Sequence, residues 1–208
     1  MKVPHLFTAK NKYPLGVFFL AVLLAPYLYI NQTITNPAPL PLTWVDRNTP
    51  FVAFTVWIYM SYFMTFVLAF ILEEDLERLN RYCLAEFLLT SISNIIFVLY
   101  PTIYERNEVQ LTGVDPLTTG LFELLYSLDK PVNCLPSLHV SSSYLAAFIW
   151  FNHRPKRFWC FLLWATAIAI STLTTKQHYL VDVWAGLGLA ALVYVLLFRQ
   201  WHRKNYCS

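Results

Sequence analysis

His178-Tyr179-Leu180-Val181-Asp182-Val183-Trp184-Ala185-Gly186-Leu187 opens a segment that stays apolar through Phe198, with Asp182 its only charge. A run of that length is enough to cross the hydrocarbon of a bilayer as a helix. Five further runs reach or approach the same length, roughly Pro14–Ile30, Phe51–Leu72, Tyr82–Tyr100, Leu135–Phe151 and Phe158–Thr175. The chain is 57% hydrophobic and only 13% charged, with a mean hydropathy of +0.48. A soluble protein of 208 residues has no room to bury six such segments. The expected architecture is all-α: one polytopic membrane domain over residues 1–208, a bundle of six transmembrane helices.

Charge placement orients it. With six spans and a cytoplasmic N-terminus, Lys2, Lys10, Lys12, Arg78, Arg81, Arg154, Lys156, Arg157, Arg199, Arg203 and Lys204 fall inside. Only Arg47, Arg106, Lys130 and Lys176 fall outside. This bias follows the positive-inside rule and puts both termini in the cytoplasm. The first run is read as a retained span, because it is long and no Ala-x-Ala cleavage site follows it. Of the four cysteines only Cys134 faces outward, so no internal disulfide framework is expected, and Cys207 is not set in a prenylation box. No motif points to a nucleic-acid partner.

Pro101 to Cys134 is the longest outer connection. Asp115 followed by Pro116 reads as an N-cap and a first-turn proline. Leu117, Leu121, Leu124, Leu125 and Leu128 then recur at helical spacing. The segment at about 115–128 is therefore an amphipathic helix, lying on the outer leaflet or packed on the outer ends of the bundle.

The unusual polar residues gather at that outer layer. Pro136-Ser137-Leu138-His139 stands at the mouth of the fourth span and His178–Asp182 at the mouth of the sixth, while His5, His153 and His202 lie in basic stretches. Titratable groups at the edge of a span are costly and usually functional. His178 and Asp182 are four residues apart, so the carboxylate can hold one imidazole nitrogen and leave the other as a nucleophile or base. His139 can approach as a proton donor. Lys176 and Arg106 supply positive charge, and Ser137 opens a helix whose free N–H groups favour an anion. Ser171 lies nearby at the outer end of span five. Nucleophile, acid and anion cradle together describe phosphoryl transfer. Three other readings use the same residues: a two-histidine, one-carboxylate metal site, a proton or ion pathway, and histidines satisfied structurally at an interface.

The two strings resemble motifs of the type-2 phosphatidate phosphatase superfamily, which also contains vanadium haloperoxidases and acid phosphatases. Pro136-Ser137-Leu138-His139 is similar to the second motif, Pro-Ser-x-His, and Ser171, His178 and Asp182 match the third, Ser-x6-His-x3-Asp. The likeness covers about residues 100–197. The first motif is incomplete: Arg106 holds the arginine position, but Leu99 and Asn107 replace its lysine and proline. Thr172 stands where an arginine usually follows the third-motif serine. These departures resemble the inositol-phosphorylceramide synthase group, which transfers a headgroup.

The resemblance implies a membrane-embedded lipid phosphatase with its site on the extracytoplasmic side. His178 would carry a phosphohistidine, Asp182 would orient it, and His139 would act as acid and then base. Arg106, Ser137 and Lys176, with Ser171, would hold the phosphate oxygens, and neither metal nor cofactor is implied. Lipid phosphotransfer through the same intermediate is the alternative within enzymes. A non-catalytic lipid-binding or transport protein is the alternative of another class. Phosphatidate, a polyprenyl pyrophosphate, a lipid A phosphate and a sphingolipid all fit as the lipid.

Overall fold

The computed structural model describes residues 5–104, 111–199 and 201. Nine α-helices occur among them: α1 Lys12–Thr33, α2 Trp44–Asn48, α3 Val56–Met60, α4 Tyr62–Leu72, α5 Leu76–Leu99, α6 Pro116–Leu128, α7 Leu138–Phe148, α8 Pro155–Thr174 and α9 Leu180–Tyr194. A π-helical stretch, Val195–Arg199, extends α9. The only sheet among the described residues is a parallel pair, β1 (Ala38–Pro39) with β2 (Thr102–Ile103), which ties the segment after α1 to the end of α5.

Among the described residues, five segments are long and apolar enough to cross a membrane: Lys12–Thr33, Ala53–Leu72, Leu76–Leu99, Pro155–Thr174 and Leu180–Arg199. The protein is an all-α membrane bundle. Its outward surface carries large apolar side chains such as Phe18, Leu99, Leu163, Ile170, Trp184 and Leu196, the belt that lipid tails cover and water would not tolerate. The expected fourth span departs from this pattern. Only Leu138–Phe148 of it is helical, about 16 Å against a hydrocarbon core of about 30 Å. Pro136 has no N–H to give a helix, and the Ser137 hydroxyl accepts from Val140 N–H as the N-cap. Helix α7 is thus a short central post, packed by α4, α5, α8 and α9.

The span Phe51–Leu72 is also broken. Ser61 interrupts the helix between α3 and α4 and donates its hydroxyl to Ile58 O at 2.6 Å. At the amphipathic segment, Asp115 accepts from the N–H groups of Leu117 and Thr118 with Pro116 behind it, the capping expected from sequence. Those bonds hold the Asp115 carboxyl below the usual carboxylate range. Helix α6 docks on α3: Phe122 and Leu125 are buried beside Val56 and Tyr59, and Trp57 Nε1–H donates to Thr118 Oγ1 at 3.0 Å. Leu117, Leu124 and Leu128 stay exposed, so only part of the expected leucine stripe faces the bundle.

Basic groups are anchored at both ends of the bundle. At one end Lys12 Nζ donates to Ile71 O and Glu73 O, Arg157 donates to Leu72 O, Arg78 pairs with Glu73 and Arg81 with Glu77. At the opposite end Lys130 donates to Gln32 O and Lys176 to Asp46 O. Helix α1 is fastened there too: Tyr27 Oη–H and Asn31 Nδ2–H both donate to Asp129 Oδ1, at 2.7 and 2.9 Å. The described cysteines, Cys83, Cys134 and Cys160, are unbridged, and burial pushes the Cys134 thiol up.

Candidate active site

The end of α8, the turn into α9 and the start of α7 meet at one point. Thr172 O accepts the N–H groups of Gln177 and His178, which folds the turn back on α8. His178 precedes α9 rather than lying on its face; Tyr179 is the N-cap. Asp182, at the third helical position, turns its carboxylate back toward the N-terminus. Oδ2 accepts from Tyr179 N–H at 2.9 Å and faces His178 Nδ1 at 3.2 Å. The expected pair is therefore made by helix-capping geometry. Asp182 is fully buried, and its Oδ1 has no hydrogen-bond partner among the described residues.

His178 Nε2 faces His139 Nδ1 at 3.4 Å across 39 residues of chain. A carboxylate only accepts, so His178 Nδ1 carries the proton and its Nε2 is bare; His139 Nδ1 then carries the proton between the rings. Ser137 N–H donates to Asp182 O at 3.2 Å, joining the two motifs through backbone. Gly186 permits the approach: a Cβ there would stand 2.7 Å from Ser137 O and 3.2 Å from Val140 Cβ. Any side chain would push α9 from α7 and part the histidines.

Two tyrosines hold His139. Tyr59 stacks on its ring with centroids 4.4 Å apart, and Tyr62 meets it edge-on at 4.0 Å. Tyr62 lies halfway along the apolar Ala53–Leu72 segment, so the imidazole sits deeper than the single turn that its distance from the start of the span suggests. Both histidines are 7% exposed, and the apolar walls that exclude water strengthen the polar contacts among them.

Lys176 does not join this group. In a left-handed turn (φ 59°), its ammonium donates to Asp46 O at 3.0 Å and to Thr49 O. Its charge fastens α2 and the residue after it to the turn before α9, where sequence placed it on a phosphate. Burial pushes the ammonium below its ordinary range, opposed by the nearby Asp46 carboxylate. Asp46 Oδ1 in turn accepts from Leu180 N–H at 2.8 Å, so α2 also caps α9. Ser171 is buried and donates its hydroxyl to Ile168 O within α8. Arg106 and Asn107 lie outside the described residues.

The family model described as the PAP2 superfamily matches residues 28–196. The chain belongs to the PAP2 superfamily. Membership makes it a protein of the phosphatase and phosphotransferase type that acts on lipid phosphates. No curated protein and no solved structure matches it. In this PAP2 chain no sequence signal marks Tyr59 and Tyr62, which sit in an aromatic-rich run without a motif. None marks Asp46 either, whose role depends on α2 meeting a turn 130 residues away.

Proposed function

We propose that this protein is an integral membrane lipid phosphatase that works through a phosphohistidine on the extracytoplasmic side. The observation that carries the reading is the relay Asp182–His178–His139, with contacts of 3.2 and 3.4 Å. Asp182 holds Nδ1 of His178, so Nε2 attacks phosphorus and the phosphorus–oxygen bond to the lipid breaks. His139, protonated once the anionic phosphate lies beside it, gives its proton to the leaving oxygen. Neutral His139 then takes a proton from water, whose oxygen attacks the phosphohistidine and frees inorganic phosphate. An attacked phosphorus needs about 3–3.5 Å from the nucleophile, so binding has to part the two rings. The cavity that His139 lines, shared with Tyr27, Tyr62 and Leu125, has about 220 Å³ to receive the displaced ring and the lipid.

Burial of all three residues favours a second reading, transfer to an alcohol, because a dry site lets an organic acceptor compete with water. One assay separates the two. Purified protein receives a phosphate-labelled lipid together with diacylglycerol, ceramide or inositol. Label recovered as inorganic phosphate is the expected result; label moving into a new phospholipid with little free phosphate makes the protein a transferase. Chelators are expected to leave the rate unchanged, and loss restored by a divalent ion would point to a metal enzyme.

The charge pattern supports six crossings, both termini in the cytoplasm and the site outside. With an impermeant thiol reagent on intact cells, a cysteine at Thr49 is expected to label and one at Asn152 to stay protected. The reverse pattern turns the protein over in the membrane.

A further inference from the structure

A carboxyl that none of these steps uses lies beneath the histidines. Glu86 of α5 is 2% exposed; the Ser142 hydroxyl bonds to both its oxygens, at 3.0 and 3.1 Å, and the Tyr82 hydroxyl reaches it as well. No lysine, arginine or histidine pairs with it among the described residues. A carboxyl has more hydrogen-bonding positions than these two hydroxyls fill, in a region where unpaired polar groups are costly. Ser142 follows His139 by one turn on the same face of α7. Glu86, Thr90, Ser142 and His139 line one cavity of about 90 Å³ whose other walls are mainly apolar, Leu20, Leu23 and Phe66 among them. It adjoins the larger cavity at His139, Tyr27 and Tyr62. A greasy cleft with a few convergent polar groups is the usual form of a ligand site, and an ionisable side chain at this depth marks a substrate path.

We propose that Glu86 and Ser142 form a subsite for a hydrogen-bond donor, a hydroxyl or amide N–H, carried by the lipid a few atoms from its phosphoester. The proposal rests on the phosphate lying at His178. With phosphorus there and the chains in the cleft, the lipid backbone passes the Glu86 carboxyl. Lipids with a free hydroxyl or amide at that point satisfy it; fully esterified or prenyl phosphates leave it unpaired. A site built to bond a hydroxyl rejects the analogue lacking it far more strongly than an apolar pocket rejects a missing methylene.

The test compares lysophosphatidate with its 2-deoxy analogue, which differs by one hydroxyl, on the purified full-length protein. The expected kcat/KM is at least about tenfold higher for the hydroxyl lipid. Glu86→Leu should bring the ratio toward one, and Glu86→Gln, which keeps an acceptor oxygen, should hold an intermediate ratio. Equal turnover of the two lipids by the wild type, or a ratio unmoved by Glu86→Leu, overturns the subsite. If neither lipid is turned over, the phosphatase reading fails on its own account. Binding of the two corresponding phosphonates then decides the subsite: tighter binding of the hydroxyl form sustains it, and equal affinity ends it.

Discussion

His178→Ala is expected to lower phosphate release by about 10⁴-fold or more, the scale of removing a covalent nucleophile. The argument is positional. His178 Nε2 is the imidazole nitrogen left bare by the Asp182 contact and turned toward His139. A nucleophile and an acid differ in how they respond to the leaving group. An aryl phosphate leaves without a proton, so His139→Ala should lose much less activity on an aryl ester than on a lipid ester. His178→Ala should fail on both. Rapid quenching of wild type with labelled lipid should trap an acid-labile, alkali-stable phosphoryl protein that the His178 variant lacks. A His178→Ala protein that is folded and still active would end the phosphohistidine mechanism.

Asp182→Asn should cost about 10³-fold in kcat, for a reason particular to this site. In a Ser-His-Asp triad the amide replacement drops the rate by about 10⁴ through the wrong tautomer. Here Tyr179 N–H, 2.9 Å from Oδ2, selects the amide oxygen for that position, and the same oxygen faces His178 Nδ1. The tautomer survives and the charge is lost. A unit charge about 4 Å from a ring that becomes cationic is worth about 4 kcal/mol at an effective dielectric near 20, which is about three powers of ten. Substrate affinity should change little, because the lost interaction grows only as the imidazole becomes charged. Measuring kcat and KM on the detergent-purified variant, with folding checked by thermal unfolding, decides the matter. A large rise in KM at constant kcat would make Asp182 a binding group instead.

The membrane class, the approximate segments and the two motifs were legible in the chain because each depends on neighbours in sequence. Apolar length selects a span, and Asp115 with Pro116 caps α6 through its own next residues. Asp182 reaches His178 within one turn of chain. The short helix α7 was harder to read: apolar length predicted a full crossing, while Pro136 and the Ser137 cap delay the helix until Leu138.

What joins distant segments depended on how the helices are rotated against one another, and no local pattern encodes that rotation. Gly186 lets α9 close on Ser137, and only then do His178 and His139 meet. Tyr59 and Tyr62, three residues apart and so on one face, both reach the same imidazole only because that face is turned to α7. Lys176, within the third motif's span, is drawn to the carbonyls of Asp46 and Thr49 by its left-handed backbone turn. Sequence by itself determined which chemical groups the site owns; tertiary packing decided which of them face one another, because a side chain's partner across the bundle is set by helix rotation and close approach.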